Sequence, residues 1–167
     1  MADIKLAQPA SSAVTITLTS LASDPNLLAG RESTAIDNST NLYLDYLLAG
    51  QIRNGASTAT VNKEIRVYVA GLLNDTTWPD VLDGTDSAET ITSANVRDAS
   101  MRLAAIMTVD TTADRYYYFA PISVAALFGG QLPKKFVVFV VHNIGVALSA
   151  TAGDHIISIT PVYETVA

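Results

Sequence analysis

The chain of 167 residues has a formal charge of −6, a pI near 4.6, no cysteine, 16% charged residues and a mean hydropathy of +0.29. It is long enough for one domain with a substantial core. Lack of cysteine excludes disulfides, thiolate metal ligands and a cysteine nucleophile, and the acidic balance argues against nucleic acid, whose phosphates require clustered Lys and Arg.

Residues 1–12 read as an N-terminal arm, small, polar and weakly patterned, and residues 13–167 as a single β domain. Met1–Ala10 has no basic segment followed by an apolar one, so no secretory signal is expected there. The arm is either loose or ordered on a neighbour through Ile4 and Leu6. Period-two alternation then predicts strands. Val14, Ile16 and Leu18 alternate with threonines; Arg31–Asp37 reads as a polar strand; Leu42, Leu44 and Tyr46 interleave with Tyr43 and Asp45. Ile65, Val67 and Val69 form the next apolar face, followed by Met101, Leu103, Ala105, Met107 and Val109, and finally by Ile157, Ile159 and Pro161. Helical periodicity competes only between Ser93 and Ala105.

Two runs, Tyr116–Phe119 and Phe136–Val141, are continuously apolar or aromatic and suit strands covered on both faces, by the core on one side and by a loop or another chain on the other. Pro121, Gly129, Gly130 and Gly145 interrupt the uncharged stretches around these runs, so no membrane span is expected. Turn residues at Asp24-Pro25-Asn26, Asn54-Gly55, Asp83-Gly84 and Ala152-Gly153-Asp154 punctuate the strands. The stretch from Pro121 to Phe128, closed by Gly129-Gly130, predicts a short helix in which Val124, Leu127 and Phe128 share a face. The expected fold is all-β: a jelly-roll-like β-sandwich of about eight strands with one short helix, or alternatively an immunoglobulin-like sandwich.

A search for chemistry yields little. His142 reads as a strand-end histidine and His155 as a turn residue. No serine sits in a G-x-S-x-G elbow, so no triad is proposed and no enzyme is expected. The loop from Asn74 to Glu89 carries Asp75, Asp80, Asp83, Asp86 and Glu89 with no Lys or Arg. Its spacing does not match an EF-hand, and it reads as a solvated acidic loop, or alternatively as a patch that meets a basic neighbour or a weak ion site at a subunit junction; no metal ligand is assigned. No cofactor is expected. Trp78 in that loop reads as an anchor, or as part of an interface or sugar platform. Arg115, Tyr116, Tyr117 and Tyr118 are the remaining interface candidates, since tyrosine and arginine favour such surfaces. Globular proteins average about 25% charged residues; with only 16% here, part of the outer surface is expected to be covered by neighbours.

The C-terminal third combines Val124-Ala-Ala-Leu-Phe-Gly-Gly130, Leu132-Pro-Lys-Lys-Phe-Val-Val-Phe-Val-Val-His-Asn143 and Ile156-Ile-Ser-Ile-Thr-Pro-Val-Tyr-Glu-Thr-Val166. In this pattern the chain resembles the jelly-roll decoration, or cement, proteins of tailed-bacteriophage capsids. The resemblance implies a virion structural protein on the outer surface of the capsid, a homo-oligomer (dimer or trimer) that bridges subunits of the major capsid protein, with no nucleic-acid or membrane partner. A receptor- or carbohydrate-binding module of a phage fibre or secreted protein is the alternative, with an aromatic platform around Trp78.

Overall fold

The computed structural model describes residues 3–166; Met1 and Ala2, the start of the expected arm, and Ala167 lie outside the described residues. In chain order the elements are β1 (Ile4–Ala7), β2 (Ser12–Ala13), β3 (Ala29–Glu32), β4 (Ile36–Asp37), β5 (Asp45–Arg53), β6 (Glu64–Gly71), β7 (Ala88–Thr90), α1 (Ala94–Ser100), β8 (Arg102–Thr108), β9 (Tyr116–Ser123), α2 (Val124–Leu127), β10 (Lys135–His142), a 3₁₀ turn (Ala152–Asp154) and β11 (Ile156–Val166). They form two antiparallel sheets. One has the order β1-β11-β5-β9 with β2 also on β11; the other has the order β7-β3-β10-β6-β8 with β4 also on β10. The fold is all-β.

Alternation builds the core between the sheets. Tyr46, Leu48 and Ile52 of β5, Tyr117 and Phe119 of β9, and Ile157 and Ile159 of β11 meet Ile65, Val67 and Val69 of β6 and Phe136, Val138 and Val140 of β10. Two glycines make room for aromatic rings on the pleat. A Cβ at Gly50 would stand 2.8 Å from the Phe119 ring, and one at Gly30 would stand 2.6 Å from the Phe139 ring. Proline is tolerated at Pro121 because β9 is an edge strand.

Several expectations are corrected. Among the described residues there are eleven ladder segments and two short α-helices, where about eight strands and one helix were expected. Val14–Thr19 keeps its alternating burial but joins no ladder beyond Ser12–Ala13, because its backbone is shared between the sheets: Val14 N–H donates to Ile157 O, while Thr15 O accepts from Thr34 N–H. Arg31–Asp37 splits into β3 and β4 because Ser33 breaks the ladder: its N–H donates to Val138 O, and its Oγ accepts from Val138 N–H at 2.9 Å. The strand expected at Leu42–Tyr46 begins instead at Asp45, and Leu42 and Leu44 lie outside the core. The helical periodicity near Ser93 is realised as α1, capped by the Ser93 hydroxyl on Val96 N–H. A bulge in β8 opposite Val67/Tyr68 then breaks the expected face, so Met101 and Met107 are buried while Leu103 is exposed. The predicted short helix begins at Val124, after Pro121 has been used in β9. It ends where Gly130 N–H donates to Ala125 O, with positive φ at Gly129 and Gly130.

The valine-rich strand β10 is covered on both faces by its own chain. Val137, Phe139 and Val141 pack under Leu82, Ile91, Met101 and Trp78, contributed by the excursion between β6 and β8. That face needs no neighbouring subunit.

Candidate interaction surface

One end of the molecule is apolar and wet. β1 pairs with the last turn-free stretch of β11, in the register Ile4↔Val166, Lys5↔Thr165, Leu6↔Glu164 and Ala7↔Tyr163. Because partners across a ladder share a face, Ile4, Leu6 and Val166 lie on one face with Glu164, the partner of Leu6, and the three apolar side chains are 70%, 68% and 71% exposed. β5 pairs with β11 only as far as Val162, so this ribbon extends beyond it. The expected arm is therefore a strand on its own chain, and its two apolar residues point to solvent.

The loop entering β5 ends beside the ribbon. Leu44 N–H donates to Val162 O at 2.9 Å, and the Tyr43 ring lies 5.6 Å from that of Tyr163. Leu42 is 73% exposed with φ of 50°, a conformation that disfavours branched residues. Asn38 holds it there. The buried Asn38 amide accepts from Tyr43 N–H and donates to Tyr43 O, and Asn38 O accepts from Leu42 N–H. An exposed leucine is thus fixed in a strained position by a buried clamp. Leu44 is exposed beside it, and Leu42, Leu44 and Gly130 line an open hollow of about 370 Å³.

The opposite end of the first sheet carries the tyrosine run. Tyr117 and Phe119 point into the core, while Tyr116 and Tyr118 point outward with ring centroids 6.3 Å apart. Arg53, opposite Tyr116 in the ladder, places its guanidinium over the Tyr116 ring at 5.3 Å. Nearly buried Asp154 gathers the group, accepting from Ser149 Oγ at 2.6 Å, Tyr116 OH at 2.8 Å and Arg53 Nη1 at 2.8 Å. These donors hold its carboxyl down at about 2, the Ser149 hydroxyl contributing most. Arg115 pairs with Asp110, which also accepts from Tyr117 OH. Only Tyr118, 66% exposed, is left uncommitted.

Of the residues singled out in the sequence, Arg115, Tyr116, Tyr117 and Tyr118 lie together at this end, and Ile4 and Leu6 lie at the other. Trp78 joins neither group: it packs on Gly84 and Ala35 as the anchor of its own loop. Leu42, Leu44 and Val166 were not identified as surface residues. Alternation placed both leucines inside, and the positive φ that turns Leu42 outward has no glycine or Asn-Gly signal at that position. The acidic loop is committed to its own structure. Asp75 pairs with Lys134, Asp80 accepts from Thr92, Asp83 from Thr85, and Asp86 from Arg31 and Thr17. Among the described residues no group of three or more His, Cys, Asp or Glu side chains is placed to hold a metal, and no helix is long and apolar enough to cross a membrane. Compared with protein-family models, with curated proteins and with solved structures, the chain matches none.

Proposed function

We propose that the chain is a structural assembly protein, a decoration protein of jelly-roll type that binds the outside of a tailed-phage capsid and bridges major capsid subunits as a dimer or trimer. The observation that carries this reading is the gathering of Ile4, Leu6, Leu42, Leu44 and Val166 at one end, all exposed; other exposed apolar side chains, among them Val61, Leu103, Ile106 and Ile156, lie elsewhere on the surface. Fully burying such a side chain is worth about 1.5–3 kcal/mol, which a partner must supply against the cost of association. The segments that carry the resemblance form α2, β10 and β11. Consecutive strands β8 to β11 alternate between the two sheets, a connectivity in keeping with the jelly-roll topology.

Adding the purified protein to capsid shells stripped of their decoration tests this reading. Saturable cosedimentation and greater resistance of the shells to heat are expected, and a protein that stays in the supernatant contradicts it. A glycan-binding module is the second reading, favoured by the outward pair Tyr116 and Tyr118 beside Arg53. It requires hits on a glycan array that are lost in Tyr118→Ala.

A further inference from the structure

Residues 72–92 leave the end of β6, cross the outer face of the second sheet and return through β7. They bring Trp78, Leu82 and Ile91 onto Val137, Phe139 and Val141 as a cover. Near the middle of this cover a carboxylate is buried with the apolar side chains. Glu32 of β3 lies opposite Phe139 in the ladder and is 0% exposed. Its Oε1 accepts from Gly84 N–H at 2.7 Å and its Oε2 from Asp83 N–H at 3.2 Å. The backbone repeats the attachment: Glu32 N–H donates to Ser87 O, and Ala35 N–H donates to Gly84 O. Gly84 has φ of 83°, and a Cβ there would stand 3.0 Å from the Trp78 ring. The chain's single tryptophan therefore rests on the latched turn.

Among the described residues no cation pairs with Glu32. Asp83 from the cover and Glu89 from β7 bear on it with like charge, and Phe139 is its ladder partner. Arg31 is committed to Asp86, and buried Arg97 of α1 to Asp98 and Leu27 O. An ionised carboxylate removed from water without a cation is costly, and two backbone N–H groups offset that cost only in part.

We propose that Glu32 is a proton-controlled latch, holding the 72–92 cover closed while it carries a proton and favouring a lifted cover, with a wetted carboxylate, once it ionises. Burial pushes its carboxyl up from 4.5 to about 7. A lifted cover returns the group to its ordinary value, so the closed form binds more protons between those two values, and rising pH favours opening. Their separation corresponds to a shift of about 300-fold in the open-to-closed ratio. Lifting the cover would present Phe139, Val137 and Val141 as a second apolar face, independent of the apolar end described above.

Amide hydrogen exchange of Asp83, Gly84 and Ile91, corrected for intrinsic rates, is the test, with β6–β10 ladder amides as the reference for global opening. In the wild-type protein, protection in the cover should fall by roughly two orders of magnitude from about pH 5 to pH 8, while the reference amides change far less. In Glu32→Gln this pH dependence should vanish. An unchanged profile in Glu32→Gln, or flat protection in the wild type, overturns the proposal. Should Glu32→Gln fail to fold, titration of the Glu32 carboxyl in the wild type by NMR decides: a midpoint near 7 supports the latch, and one at or below 4.5 overturns it.

Discussion

Two buried titratable side chains pull the pH dependence of stability in opposite directions. His142 is fully buried. Its Nε2–H donates to Leu21 O at 3.0 Å, and Nδ1 has no partner. Burial holds its pKa down at about 4, against an ordinary 6.5. The unfolded chain therefore binds more protons than the folded one between those values, and His142 adds stability as pH rises from 4 to 6.5. Glu32 behaves oppositely: with its folded value raised to about 7, its contribution is fully present below 4.5 and is lost as pH rises to 7. Each effect is on the order of 3 kcal/mol, so the two largely cancel across the overlap. Urea unfolding between pH 4.5 and 6.5 should give a nearly flat wild-type profile, a rising one in Glu32→Gln and a falling one in His142→Gln. A wild-type slope as steep as that of either variant would refute the assigned shifts. The sequence identified His142 as a strand-end residue, but Glu32 drew no notice. Nothing in Arg31-Glu32-Ser33 marks which side chain the 72–92 excursion will cover.

At the level of elements, the apolar alternations at Ile65–Val69 and Ile157–Pro161 and the buried run of β10 were legible because burial follows the pleat directly. What was not legible is where ladders break. The pause at Ser33 depends on a side-chain to backbone bond between segments far apart in sequence, the late start of β5 follows a loop held by Asn38, and no local pattern encodes these or the bulge in β8. Glycines within strands belong to the same class. Gly30 looks like an interruption of β3, yet a Cβ there would meet Val140 O at 2.4 Å and the Phe139 ring at 2.6 Å. Gly30→Ala should therefore destabilise the protein by about 3 kcal/mol through overpacking of a central ladder, measured by chemical denaturation. A loss well under about 1 kcal/mol would mean that β3 does not lie against Phe139 as described.

For the whole molecule, low charge and doubly apolar strands suggested surfaces hidden by neighbours. Half of that inference is answered within the chain, because β10 is enclosed by residues 72–101, the loop rather than the neighbour of the two covers expected, and that closure needed a long excursion whose destination the sequence does not announce. The other half now rests on the end where β1, the tail of β11 and the Asn38-clamped loop expose five aliphatic side chains. We propose that this end is where copies of the chain meet. The most direct measurement is the mass in solution of the wild type and of the double variant Leu6→Ser/Leu42→Gly, by sedimentation equilibrium at the highest soluble concentration. Glycine relieves the positive φ at position 42, so the variant should fold with little or no loss of stability. A wild-type dimer or trimer that becomes monomeric in the variant is the predicted result; a wild type that stays monomeric, or an oligomer indifferent to both substitutions, would contradict it.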